Sequence, residues 1–528
     1  MKTASFCIYI LKGNNIMAKK LLALILALIM LAMCMASCGS DNNDGGSSAV
    51  TEAGTDNGDA GEDNSEDTDP LMAEIDEYIE ELSTTYADLK GKTFTNFGIG
   101  WEAPSKDEET GDVMSDAYYF RQREIEDAFQ IDWVNALAGT SGDTSSATVE
   151  EIKQDVLAGV GAYDASYGNG MHCQNLLIND CLYDMSYFEA LDFDREWWPE
   201  SLLDDCSIMG ALYFLNGPII SSFYQDGSCV LFNKQVAEDY GLEDVYAIVR
   251  DGDWTWDKMF EVAACVPENA NGSGAYRYAN PNGPSTIMSH DIPLTLFDEN
   301  GKPYYADSVP SDIFEIADKF SKIFSDGSQT VNLIDGTGSS ENLLDKYGYE
   351  DMEDMFADEK MLFMFTTTAT AANLRTLDVN FGILPFPKGS DTQENYVSAA
   401  HYNGFRDIFV PASIKDPHKT DVVLEAMAAL GYKHFKPVFY DTILKGRTVK
   451  DFESKEMIDI IFNTKRFDLL PILDKGADMN TYGVITNLYR NGVEDSADTL
   501  TSRYFLNSKI VNSNIKNILK NIEAANQN

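Results

Sequence analysis

Apolar residues fall along this chain in two alternating rhythms. Leu71, Ile75, Ile79 and Leu82 recur at steps of three and four, which predicts an amphipathic helix over 70–89. The short apolar stretch 94–100 ends in glycine and reads as a strand, with Trp101 and Glu102 at its mouth. The pattern then predicts a helix over 117–129, with Arg121 and Arg123 turned outward, a strand over 133–137 and a helix over 146–158. A third strand is expected to end near Tyr167 and Asn169. Alternation of strand and helix argues for a parallel α/β sheet. Ligands in such sheets bind beyond the carboxyl ends of the strands, where Trp101, Glu102, Tyr167 and Asn169 all fall.

The second half repeats the theme. Residues 213–217 and 227–234 read as two strands that could cross between lobes. A helix over 236–242 is stopped by glycine, and another starts near Trp254 with Thr255 as its cap. Trp254 and Trp256 flank that cap and are expected to pack the helix start; Trp197 and Trp198 are expected to pack near a hinge. Helices over 312–324, 343–357, 421–432 and 502–525 complete the pattern, with buried strands over 360–365 and 381–387.

The amino-terminal region follows another logic. Lys19 and Lys20 precede a run of Leu, Ala, Ile and Met over 21–33, shorter than the roughly 20 residues a bilayer span needs. Small residues then lead to Cys38. This is the layout of a secretory signal peptide over 1–37, and Met35-Ala36-Ser37-Cys38-Gly39 resembles a bacterial lipobox. Cys38 is then expected to carry a diacylglycerol as the first mature residue. Met17 begins a signal peptide of ordinary length and is the expected true start. Residues 40–70 are Gly, Ser, Asn, Asp, Glu and Thr, with hardly an apolar residue and no Lys or Arg. Such a segment cannot offset chain entropy by burial, so 38–70 is expected to be a disordered acidic tether behind the lipidated cysteine.

Net charge is −47, and residues 1–37 hold four Lys and no acid, so the mature form stands near −51 (−47 minus 4). That charge disfavours nucleic acid as a partner. Cys173, Cys181, Cys206, Cys229 and Cys265 remain after the signal and anchor cysteines, without a C-x-x-C pair; disulfides and free thiols both stay open. The five His show no H-E-x-x-H spacing, and there is no P-loop and no G-x-S-x-G elbow. A glycoside hydrolase would need two carboxylates placed across a sugar. With 86 acidic residues, candidate pairs are everywhere and select nothing.

Several segments in order resemble the extracellular solute-binding proteins of carbohydrate ABC transporters, the broad group that includes maltose-binding protein. They are VLFNKQVAEDYGL, WTWDKM, MFADEKMLFMF and VNFGILPFPKGSDTQENYVS, together with the Trp197-Trp198 pair. Glu359 stands where that family usually has glycine. The resemblance implies a periplasmic-binding-protein-like (type II) α/β fold of two lobes joined by a multi-segment hinge. The first lobe would take 88–218 and 394–436 and the second 219–393 and 437–528, with hinge segments near 214–226, 392–396 and 436–439. It implies a monomer on the outer face of the cell membrane that uses no cofactor or metal and performs no chemistry. Its partners would be a mono- or oligosaccharide and the permease subunits of an importer. A non-sugar solute such as a peptide or polyamine is the alternative, and a surface glycoside hydrolase a more distant one.

Sugars offer C–H faces to aromatic rings and hydroxyls to paired donors and acceptors. Trp101 and Glu102 are the leading ligand-contact candidates, followed by Tyr167 and Asn169 and by Tyr224 near the proposed hinge. In the second lobe the candidates are Asn280, His290 and Thr367, and His401 and Tyr402 follow the return to the first lobe.

Overall fold

The computed structural model describes residues 70–98, 108–137, 145–269, 272–279, 283–293, 295–306, 311–324, 326–331, 347–374, 377, 379–399, 406–444, 452–473 and 497–525. The signal peptide, Cys38 and the tether as far as residue 69 lie outside them. Residues 68–528 form one compact unit. Among the described residues no helix is long and apolar enough to cross a membrane.

The strands, in chain order, are β1 (Thr93–Gly98), β2 (Asp132–Leu137), β3 (Ala165–Asn169), β4 (Ser228–Asn233), β5 (Tyr276–Ala279), β6 (Leu296–Phe297) and β7 (Pro303–Tyr304). They continue with β8 (Thr330–Val331), β9 (Met361–Thr367), β10 (Phe381–Pro385), β11 (Ser398–Ala399), β12 (Arg406–Phe409) and β13 (Lys465–Arg466). The helices are α1 (Leu71–Thr85), α2 (Val113–Phe129), α3 (Ser145–Ala158), α4 (Gly170–Ile178), α5 (Ser201–Cys206), α6 (Ser222–Gln225), α7 (Lys234–Tyr240) and α8 (Val245–Arg250). After them come α9 (Trp256–Ala263), α10 (Gly283–Ser289), α11 (Ser311–Phe324), α12 (Met352–Ala357), α13 (Thr368–Asn373), α14 (Pro417–Leu444), α15 (Phe452–Asn463), α16 (Leu470–Leu473) and α17 (Ala497–Ala525).

Two main sheets organise the molecule. The first has the order β12-β3-β1-β2, with β1 parallel to both β2 and β3 and β12 antiparallel to β3. The second has the order β10-β4-β9-β5-β8, antiparallel at β10-β4-β9 and parallel at β9-β5-β8. β4 and β10 are buried at every residue, and β9 over its first five. Helices and loops cover both faces of these strands, so they read as continuous apolar runs rather than alternating ones.

Local chemistry sets the ends of the elements. Thr255 caps α9 by accepting from the amide of Lys258, as the sequence predicts, and Asn233, Asp244 and Asp351 cap α7, α8 and α12 the same way. Glu359 adopts φ +61° ahead of β9, the left-handed conformation that the family's usual glycine would take without strain.

Four expectations change. The helix expected over 343–357 is interrupted, with residues 348–351 outside any helix and α12 beginning only at Met352 behind its cap Asp351. Residues 213–217 do not form a strand: Leu215 exchanges a single pair of backbone hydrogen bonds with Ile408. Gly217 at φ +132° and Pro218, which lacks an amide hydrogen, end the pairing there. The helix expected over 421–432 runs from Pro417 to Leu444, through both Gly431 and Pro437. Arg121 does not face outward but is fully buried. It sits one helical turn from both Ala117 and Ile125, on the buried face of α2, and its Nη1 donates to the carbonyl of Ile219 at 2.6 Å. Burial lowers its pKa to about 10.

α14 touches both sheets' surroundings. The part before Pro437 packs on α2 and α1, where His434 meets Glu124 at 2.7 Å and Phe435 meets Tyr118. Beyond Pro437, Phe439 packs on Phe462 and the Tyr440 hydroxyl donates to Asp459 at 2.6 Å, both on α15. Lys419 near its start pairs with buried Asp164 at 2.7 Å, and Asp164 also accepts from the amide of Thr95 in β1.

Candidate functional site

The carboxyl ends of β1, β2 and β3 (Gly98, Leu137 and Asn169) lie on one edge of the first sheet, where β12 begins at Arg406 opposite Asn169. Of the candidates expected at this edge, Trp101, Glu102, His401 and Tyr402 lie outside the described residues, and Asn169 is described by its backbone alone. Tyr167 on β3 is 1 % exposed. Its ring fills the space beside Gly98, where a Cβ would stand 2.2 Å from Cε1. Any side chain at 98 would displace that ring.

The matching edge of the second sheet gathers the end of β9 and the start of β4, paired through Ser228 and Thr367. The Thr368 hydroxyl donates to the carbonyl of Tyr224 at 2.6 Å and accepts from the amide of Gly227. The Ser228 hydroxyl donates to the carbonyl of Ala399 on β11 at 2.9 Å. The structure thus brings Tyr224 and the Thr367–Thr368 turn together at the point where the chain crosses between sheets. The Tyr224 ring is buried among Phe223, Phe439 and Phe462. Thr367 is half-buried and makes no side-chain hydrogen bond to the helix it precedes. Asn280, just past β5, lies outside the described residues.

His290 follows α10 and is half-buried. Its ring stacks on Trp256 at 6.2 Å, and Trp256 in turn packs on Phe365 of β9 and on Phe386. Nδ1 stands 2.7 Å from the carbonyl of Thr286, which requires the proton on that nitrogen and leaves Nε2 as an acceptor. Burial lowers its pKa to about 4, so the ring is neutral at physiological pH. Trp254 and Trp256 are both buried, and their indole N–H groups donate to the carbonyl of Pro385 and the hydroxyl of Ser289. They pack the start of α9, as the sequence predicts.

A buried carboxylate with four donors escaped the sequence reading. Glu425 on α14 is fully buried and accepts from the indoles of Trp197 (2.9 Å) and Trp198 (3.0 Å), the amide of Asp192 (3.1 Å) and the hydroxyl of Tyr78 (3.3 Å). One turn earlier, Asp421 accepts from three successive amides, 189 to 191. Burial raises the Glu425 carboxyl to about 7 despite its four donors. The signal was available: two acids four residues apart inside the otherwise apolar run 421–430 need partners. The five described cysteines are free, and burial raises their thiols above the usual range. No group of three or more His, Cys, Asp or Glu among the described residues could hold a metal ion.

No protein-family model and no curated protein sequence matches this chain. Solved structures do. The apo-form of RafE from Streptococcus pneumoniae is 13% identical, with 79% of this chain and 98% of that one covered and a TM-score of 0.51. The extracellular solute-binding protein family 1 from Alicyclobacillus acidocaldarius is 11% identical, with 81% and 99% covered and a TM-score of 0.50. The chain has the two-lobe α/β fold of the periplasmic-binding-protein-like proteins.

Proposed function

We propose that this chain is the substrate-binding component of an ABC importer, held to the outer face of the cell membrane by a lipid on Cys38. It closes on a mono- or oligosaccharide between its lobes and delivers it to a membrane permease, and it performs no chemistry itself. The observation that carries the reading is the pairing of two α/β sheets, joined by several crossing segments, in a fold shared with solute-binding proteins. Crossing segments near 214–226, 392–396 and 436–439 would be the hinge such a machine needs. The first lobe takes 88–218 and 394–436, and the second 219–393 and 437–528.

Closure follows from contact. A solute that touches both lobes only when they are engaged shifts the population toward that state. Trp101, Glu102, Asn169, His401 and Tyr402 would supply contacts from the first lobe, and Asn280, His290 and Thr367 from the second, while the buried rings of Tyr167 and Tyr224 would support these edges from within. The sugar reading draws on the sequence segments that resemble carbohydrate-binding members. A peptide or polyamine is the second reading, favoured by the net charge of −47.

A thermal-shift panel of saccharides, peptides and polyamines tests both. A ligand that binds only the folded chain raises its melting temperature, by about 2.7 kcal/mol of stability at one hundred times Kd. We expect at least one saccharide to do so. A shift with a peptide or polyamine alone would replace the sugar reading.

A further inference from the structure

Residues 295–305 leave the surroundings of the second sheet, and the chain then returns to them. Just before this stretch, the Trp256 indole donates to the Ser289 hydroxyl and the His290 ring stacks on Trp256. Just after it, α11 sets Phe320 against Trp256 at 4.6 Å, and Trp256 packs on Phe365 of β9. Both ends are therefore seated on the second sheet's side.

Between those ends, β6 and β7 pair as a hairpin. The Asp298 carboxylate shapes its turn by accepting from the amides of Asn300 and Lys302, and Gly301 follows at φ +70°. The hairpin's partners lie elsewhere. The Gly301 carbonyl accepts from the amide of Met209 at 2.9 Å, in a turn where Met209 and Gly210 both have positive φ. Asn512 of α17 clamps Tyr305 through two bonds of 3.0 Å, donating to its carbonyl and accepting from its amide. Thr295 gives its amide (3.2 Å) and its hydroxyl (2.6 Å) to Asp468.

These partners sit on the first sheet's side. α16 and α17 both pack on α4, which packs in turn on β3 and β12. The stretch around Met209 is bonded to β12 and its continuation, through Leu215 to Ile408 and Tyr183 to Val410. A cavity of about 170 Å³ remains under the hairpin, lined by Thr295, Leu296 and Phe297 above and Phe467, Asp468 and Leu469 below. The seat is thus held by directed bonds more than by close packing.

We infer that 295–305 is a strap: part of the second lobe's sequence that moves with the first lobe. The inference rests on the reading of the chain as a two-lobed solute-binding protein, and it seats α16 and α17 with the first lobe as well. The chain then passes between lobes twice more than the three hinge segments provide, once between His290 and Thr295 and once between Tyr305 and Ser311. The shorter passage has five residue steps, which reach at most about 18 Å. The strap is therefore a leash on how far the lobes can part.

The test uses the full chain in two arms. The first needs no solute. Hydrogen exchange at the Met209 amide is compared with that at Leu231, in the middle of β4. In the double variant Thr295→Val with Asn512→Ala, which weakens the seat at both ends without touching Met209, the ratio of the two rates should rise about tenfold or more. An unchanged ratio overturns the strap. The second arm follows distances between spin labels, carried on a ketone-bearing amino acid so that the native cysteines stay unlabelled. They replace the exposed Tyr304 on the strap, Tyr187 on the first sheet's side, and Tyr240 on α7, which packs on β9 and β10. With a solute that raises the melting temperature, the distance from 304 to 240 should shift and that from 304 to 187 should hold. The opposite pattern overturns the strap, as does a bound solute that moves neither distance. If no solute in the panel binds, the solute-binding reading falls and the exchange ratio alone decides the strap's seat.

Discussion

Glu425 shows how one side chain can organise its surroundings. It ties α1, through Tyr78, and the Trp197-Trp198 pair to the middle of α14. Its carboxyl rises from an ordinary 4.5 to about 7 because burial outweighs its donors. Between those values the folded chain keeps a proton that the unfolded chain has released. The stability this group contributes is therefore complete below about 4.5 and is lost as pH rises through about 7. Two of its donors are indoles, so tryptophan emission should titrate with a midpoint near 7 in the parent and not in Glu425→Gln. A flat profile in the parent would contradict the assignment. Arg121 teaches a related lesson: its charge pointed it outward in the sequence, but its helical phase with Ala117 and Ile125 pointed it inward, and the phase won.

Elements with a strong period were legible from the sequence, and their boundaries less so. The burial rhythm of α1 and the caps of α7 and α9 appear where the sequence places them. α14 does not, because Gly431 and Pro437 are stop signals when read locally. Packing overrides them. Gly431 lies against the crossing segment, and a Cβ there would stand 2.0 Å from the carbonyl oxygen of Pro218. Gly431→Ala should thus destabilise the chain by about 1–3 kcal/mol through overpacking, although alanine is the better helix former. A denaturant midpoint equal to or above the parent's would refute that contact.

For the molecule as a whole, the two-sheet architecture could be read from alternation and from the order of the resembling segments. The contacts that join distant stretches of chain could not: Asp205 and Arg466 pair at 2.6 Å although they are 261 residues apart, and no local pattern links them. Residues 68–528 form a compact unit with its own buried core, so a chain begun at residue 68 should fold and melt in one cooperative transition. A chain without such a transition would contradict that unit. Pro437 donates no hydrogen bond to the carbonyl one turn before it, and it stands between the part of α14 seated on α2 and the part seated on α15. The rod has a notch already cut where its load changes hands. Flexing it there breaks no backbone bond, so one continuous helix can act as an axle for both halves without first having to melt.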